Sequence, residues 1–164
     1  MSSSTQCATV RRKPSPAAAF SGTDPDPDPD SALLRLAGEV RGEHALIIGG
    51  NDVDLMCALI RRGAAEVQLM RQGVRPERAT IDLAVATDIA NPDQVQSVMT
   101  HIRRALTASG RVILRTAADP TGRLARLVTQ TLRLHGFSAV RARRAGDRSL
   151  VTATLPWFGP LASV

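Results

Sequence analysis

Residues 81–156 decide the fold: IDLAVATDIA (81–90), NPDQVQSVMTHIRRALTASG (91–110), RVILRTA (111–117), TGRLARLVTQTLRLHGF (121–137), SAVRARR (138–144) and SLVTATLP (149–156). Ile81 to Ala86 and Arg111 to Thr116 are short runs dominated by apolar residues, the pattern of parallel strands buried on both faces. Between them, Asn91-Pro92-Asp93-Gln94 is a helix start, with Asn as N-cap, Pro at the first helical position and Gln three residues after the cap. Val95, Val98, Met99, Ile102 and Leu106 form the buried stripe of that helix, and Gly110 is its stop. Leu124, Leu127, Val128, Thr131 and Leu132 mark a second helix, closed by Gly136. Ser138 to Arg143 and Leu150 to Leu155 read as a hairpin around Ala145-Gly146-Asp147. The order strand, helix, strand, helix, strand, strand predicts an α/β sandwich closed by an antiparallel strand.

The chain upstream adds one βαβ unit. His44 to Ile48 (HALII) is a buried parallel strand and Ala65 to Met70 a second one. The turn Gly49-Gly50-Asn51-Asp52 joins the first to a helix capped by Asn51 or Asp52. Val53, Met56, Cys57 and Ile60 fall at helical spacing as its apolar face, and Gly63 ends it. A short helix at Ala32 to Val40, capped by Asp30 or Ser31, precedes the unit. Only RQGVRPERAT (71–80) separates Met70 from the strand at Ile81. This is room for a loop or one helical turn.

The strand opening on Ile81-Asp82, the helix ending in Leu106 to Gly110 and the long helix ending in Gly136-Phe137 resemble the C-terminal half of class I S-adenosylmethionine-dependent methyltransferases. LIIGGND (46–52) looks like the glycine loop of that family and like the IGGGDG of its spermidine-synthase branch. The resemblance implies a Rossmann-like, methyltransferase-type sandwich over residues 31–156. Its sheet would be mostly parallel with an antiparallel last strand. In family labels the strand order would be 2-1-4-5-7-6, with outer strand 3 missing because 71–80 is too short to hold it.

It also implies a cofactor, S-adenosylmethionine, in the crevice at the C-terminal ends of the strands. The rim would be Gly49, Gly50, Asn51 and Asp52, then Arg71 with Gln72, then Thr87 and Asp88. Family members carry an acid at the end of strand two that takes both ribose hydroxyls; here Met70 and Arg71 stand there, and neither offers an acceptor. An aspartate that reads the adenine edge commonly follows strand three, in the segment that is missing. Ile47 stands where an acid often precedes the glycine loop. Asp52 and Asp54 have a sufficient role in capping and in meeting the helix dipole. No catalytic constellation emerges: His101 reads as solvated, and His135, just before the Gly136 stop, sits where a partly cationic ring suits the helix C-terminus. The expectation is a methyltransferase-like protein with weakened or lost cofactor binding and a non-catalytic subunit or regulatory role. An active small-molecule methyltransferase and a basic nucleic-acid-associated protein are the alternatives.

Composition bounds these readings. The 164 residues are 43% hydrophobic but only 2% aromatic, so aliphatic side chains must fill the core. No apolar run approaches the roughly 18 residues that suggest a membrane span. The net charge of +6 is almost wholly arginine, Lys13 being the only lysine. Arginine suits phosphates and carboxylates, and Arg141, Arg143, Arg144 and Arg148 are the densest cluster. Cys7 and Cys57 form neither a disulfide framework nor a metal set, as expected in a reducing cytoplasm. No cysteine or histidine stands at metal-ligand spacing. Residues 1–30 read as a disordered tail ending in the run Asp24 to Asp30, in which Asp and Pro alternate. Residues 157–164 are an apolar tail in which Trp157 and Phe158 are candidate contacts for a second copy or another protein.

Overall fold

A computed structural model describes residues 29–50, 52–70 and 76–156. Helix α1 (Pro29–Ala37) is followed by strand β1 (His44–Ile48), α2 (Val53–Arg61), β2 (Glu66–Met70), β3 (Ile81–Ile89), α3 (Pro92–Ala105), β4 (Leu106–Thr116), α4 (Arg123–Leu134), β5 (Ser138–Ala145) and β6 (Arg148–Thr154). The six strands form one sheet in the order β2-β1-β3-β4-β6-β5. β2, β1, β3 and β4 pair in parallel, and β6 runs antiparallel to both β4 and β5. This is the order and the polarity expected from the sequence. Residues 1–28 of the expected tail, together with Asn51, Arg71, Gln72, Trp157 and Phe158, lie outside the described residues.

The strands alternate between two cores because successive side chains point to opposite faces. Leu46, Ile48, Ala84, Ala86, Val112 and Leu114 face α3 and α4, where Val95, Met99, Ile102, Val128 and Leu132 meet them. Ala45, Ile47, Leu83, Val85 and Ile113 face the other way, toward Leu33 of α1 and Leu55 and Leu59 of α2. The sheet is thus covered on both sides, which is why its strands read as apolar runs.

Four local expectations are corrected. α1 starts at Pro29, where proline suits the first helical turn, so neither Asp30 nor Ser31 is the cap; Asp30 instead pairs with Arg115. The buried face of α2 is Leu55 and Leu59, whereas Val53 and Ile60 are 40% and 51% exposed. Asp52 occupies the N-cap position of α2 without a side-chain capping bond. α3 ends at Ala105 rather than near Gly110, and the chain enters β4 at once, with Ile81 in register with Leu106. Gly110 is needed for space instead: a Cβ there would stand 2.5 Å from Leu106 Cγ.

The phases of α3 and α4 are sharply testable. Met99 is fully buried while Leu134 of α4 is 79% exposed. Met99→Ala should cost about 2–5 kcal/mol in urea unfolding, and Leu134→Ala less than about 0.5 kcal/mol.

Candidate functional site

The C-terminal ends of β1 and β3 lie side by side, Ile48 in register with Ala86. The residues just beyond them form the rim. Gly49 has φ +156°, and a Cβ on it would collide with Thr87 Oγ1 while standing 3.2 Å from both Asp52 Oδ2 and the Thr87 carbonyl oxygen. Thr87, only 4% exposed, donates its hydroxyl to Asp52 Oδ2. Three of the expected rim residues are therefore brought together, but by contact with one another: the side chain of Thr87 fills the space that the missing Gly49 side chain leaves. Gly50 is exposed beside them. Met70 ends β2, half-buried against the core on the α3 side.

Asp88 points elsewhere. β3 and β4 lose register between Ala86 and Ile89, and Asp88 takes φ +55° in that irregularity. Such bulges re-aim side chains at sheet ends. The Asp88 carboxylate lies 3.1 Å from Arg148 Nη1 and 3.7 Å from Arg115 Nη2. Arg115 is 4% exposed, and its Nη1 meets Asp30 Oδ1 at 2.5 Å. Asp30, Arg115, Asp88 and Arg148 thus form one chain of alternating charge along the rim. Asp88 has a structural need that the sequence did not reveal. The four residues lie far apart in sequence, with no spacing to connect them.

A second group was also missed. The Asp119 carboxylate accepts from Leu124 N–H at 2.8 Å, Ala125 N–H at 3.2 Å and Thr121 Oγ1 at 3.0 Å, closing the first turn of α4. The signal was present in sequence as an aspartate shortly before a helix, but Gly122 holds the nominal cap position. Desolvation pushes the Asp119 pKa up; the hydrogen bonds from Ala125, Thr121, Leu124 and Arg123 outweigh it and hold the carboxyl below its ordinary value of 3.8. Asp119 also lines a cavity of about 260 Å³ with Ala90, Pro92, Leu124 and Leu127, between the N-terminal ends of α3 and α4.

Among the described residues, no group of three His, Cys, Asp or Glu side chains could hold a metal ion. None of the described helices is long and apolar enough to cross a membrane. His44 lies at the opposite end of the sheet, with Nδ1 3.5 Å from Asp82. Of the hairpin arginines, Arg148 is held by Asp88 and Arg144 donates to the Pro120 carbonyl oxygen at 2.8 Å, whereas Arg141 and Arg143 are exposed.

No protein-family model matches the sequence, and no curated protein matches it either. Solved structures do match the fold. An S-adenosylmethionine-dependent methyltransferase from Mesorhizobium loti superposes with a TM-score of 0.60 at 14% identity, over 79% of this chain and 99% of that one. An O-methyltransferase from Thermotoga maritima gives 0.60 at 13% identity, over 80% and 66%. A release factor-specific protein-glutamine methyltransferase from Alicyclobacillus acidocaldarius gives 0.53 at 16% identity, over 79% and 94%. The chain has the fold of the class I S-adenosylmethionine-dependent methyltransferases. Within that fold, β1, β2, β3, β4, β5 and β6 stand for family strands 1, 2, 4, 5, 6 and 7, and only ten residues, 71–80, separate β2 from β3.

The rim of this methyltransferase fold yields two expected outcomes. Gly49→Ala should destabilise the protein by about 1–3 kcal/mol through overpacking, and by clearly less in a Thr87→Ala background, where the colliding hydroxyl is gone. Equal losses in both backgrounds would show that the contact is not the cause. For Asp119, the folded pKa is depressed, so its contribution is present above the ordinary aspartate pKa near about 4 and is lost as pH falls through the folded value. Thermal melts of the parent should therefore fall more steeply between about pH 5 and pH 2 than those of Asp119→Asn.

Proposed function

We propose that this chain is a methyltransferase-fold protein whose cofactor crevice is weakened and which serves as a non-catalytic subunit or regulator. The observation that carries this reading is the engagement of the rim. Thr87 fills the space beside Gly49 and occupies Asp52 Oδ2, while Asp88 is held between Arg115 and Arg148. At the end of β2, where a carboxylate would take the ribose hydroxyls, Met70 offers only a weak thioether acceptor. The residues present are therefore a poor fit to S-adenosylmethionine.

The size of the deficit follows from the lost bonds. A charge-assisted hydrogen bond is worth roughly 1.5–3 kcal/mol, and each 1.4 kcal/mol weakens binding about tenfold. Losing both ribose bonds turns a micromolar site into a roughly millimolar one or worse. In the subunit reading, Trp157 and Phe158 supply apolar contacts to a partner.

Calorimetric titration with S-adenosylmethionine and its demethylated product tests this directly. The expected outcome is no binding in the micromolar range. Tight binding that Gly49→Ala abolishes would instead support an active small-molecule methyltransferase. A gain of function provides the complement: Met70→Asp restores an acceptor at the end of β2 and should tighten the interaction by about tenfold or more.

A further inference from the structure

The positive charge of this chain is concentrated on one edge of the sheet. Between Gly122 and Gly146 there are six arginines and no carboxylate. The whole chain has 21 Lys and Arg against 15 Asp and Glu, so without these six the two signs balance at 15 each. The excess of +6 therefore resides on α4 and β5, the strand at the end of the sheet.

The arginines of α4 form a stripe. At about 100° per residue, Arg123, Arg126, Gln130 and Arg133 fall within an arc of roughly 80°. Ala125, Val128, Thr131 and Leu132 are buried on the other side of the helix, and all four stripe residues are exposed. Solvent faces of helices ordinarily mix both signs, with acids three or four residues from their basic partners. Here α4 supplies no acid, and Arg123 and Arg126 repel each other. The Asp119 carboxylate before the helix is buried and spent on backbone N–H groups.

β5 completes a groove beside this stripe. Ala142 is in register with Val151, which belongs to the core on the α4 side, so Ala142 and Arg144 face α4. The groove, of about 480 Å³, is lined by Ala125, Arg126, Thr129, Gln130, Arg133 and Ala142. Two small alanines thus sit among guanidinium, amide and hydroxyl groups. Arg126 is steadied by the Thr121 carbonyl oxygen at 3.3 Å and Arg144 by that of Pro120 at 2.8 Å. A guanidinium has five N–H donors, so each keeps several for a ligand.

The surroundings select among anions. A protein partner is held by buried aromatic and apolar anchors. The groove lining contains none, and Leu134 is the one large exposed apolar side chain described on α4. Single strands are held by stacking bases on aromatic rings. Phe137 is the only Phe, Tyr or Trp between Gly122 and Gly146, and it is buried. Phosphates of a duplex need neither, because charge and hydrogen-bond donors hold them without reading a base. From Arg123 to Arg133 the stripe is roughly 15 Å long, about four base-pair steps of 3.4 Å.

We propose that the groove between α4 and β5 docks the phosphate backbone of a nucleic-acid duplex, with Arg126 and Arg133 inside it and Arg123 and Arg144 flanking. β4 and β6 separate β5 from the strands that bound the cofactor crevice, so this surface does not depend on whether the crevice binds a cofactor.

The test uses the full chain and a labelled DNA duplex of about 20 base pairs, read by fluorescence anisotropy. Binding at about 0.05 M salt should weaken roughly a hundredfold by about 0.2 M, as for about four neutralised phosphates. Arg126→Gln with Arg133→Gln should weaken binding about tenfold at the lower salt and reduce the slope of log K against log salt by about 2. Arg35→Gln with Arg61→Gln, at exposed positions on α1 and α2, changes the net charge equally and should leave that slope in place. Ala142→Glu should weaken binding well beyond Ala142→Gln, since both add bulk and only one adds a carboxylate. Equal effects within either comparison, no binding at about 0.05 M salt, or a single strand bound as tightly as the duplex would overturn the proposal. So would polyglutamate that displaces the labelled duplex as well as unlabelled duplex of equal charge does, an outcome that points to an acidic protein segment instead.

Discussion

The guanidinium of Arg115 is the group on which the rim of the sheet depends. Taking an ion out of water costs several kcal/mol even after relaxation, so a buried arginine persists only where carboxylates converge on it. Here they come from two directions: Asp30 from the first turn of α1 and Asp88 from the end of β3. Arg115 Nε is buried without a partner, a further cost of about 1–3 kcal/mol. Such a group adds little net stability. It fixes arrangement instead, because α1 can lie in only one place along β4 if Asp30 is to reach the guanidinium. At the far end of the same face, Arg111 does similar work, donating to the carbonyl oxygens of Ala37 and Glu39 at 2.7 and 2.8 Å and so satisfying the C-terminal end of α1. Both ends of α1 are thus anchored by arginines of one strand.

The geometry at the head of the crevice follows from that anchoring. Asp88 adopts a left-handed backbone that few non-glycine residues take, and its pairing with Arg115 and Arg148 is the interaction available to offset the strain. The bulge sends Asp88 toward the arginines while the preceding Thr87 turns to Asp52 and the backbone of Gly49. One local irregularity in β3 accordingly sets two rim side chains on opposite tasks. Strain of this kind often marks a functional site, and here it sits against the Arg115 and Arg148 guanidiniums.

The sheet was legible in the sequence because its strands are buried on both faces. Runs such as HALII and RVILRT carry their assignment in composition alone, and the Asn-Pro start of α3 carries its own capping chemistry, realised as Gln94 N–H donating to Asn91 Oδ1 at 2.9 Å. The strand order followed from the resemblance and from the short link at 71–80. What could not be read was the phase of α2. Val53, Met56, Cys57 and Ile60 make as regular a stripe as Leu55 and Leu59, and tertiary packing chose the latter. The end of α3 was equally hidden: Gly110 looks like a stop, yet its smallness answers the side chain of Leu106. The residues near Gly49 were singled out by motif and do lie together in the fold, but the Asp30–Arg115–Asp88–Arg148 chain was not, since nothing local distinguishes four charged residues that only folding unites.

Fold and site are separable in this chain for a physical reason. The two apolar layers against the sheet need only the helices that survive, α1 and α2 on one side and α3 and α4 on the other, so losing the elements between β2 and β3 leaves both cores closed. With only ten residues between Met70 and Ile81, β2 stands as an edge strand. Glu66 and Gln68, bonded to each other at 3.0 Å, lend that edge a polar character that discourages pairing with another sheet. Both cores close on these helices alone, and a fold of this kind does not by itself fix an activity.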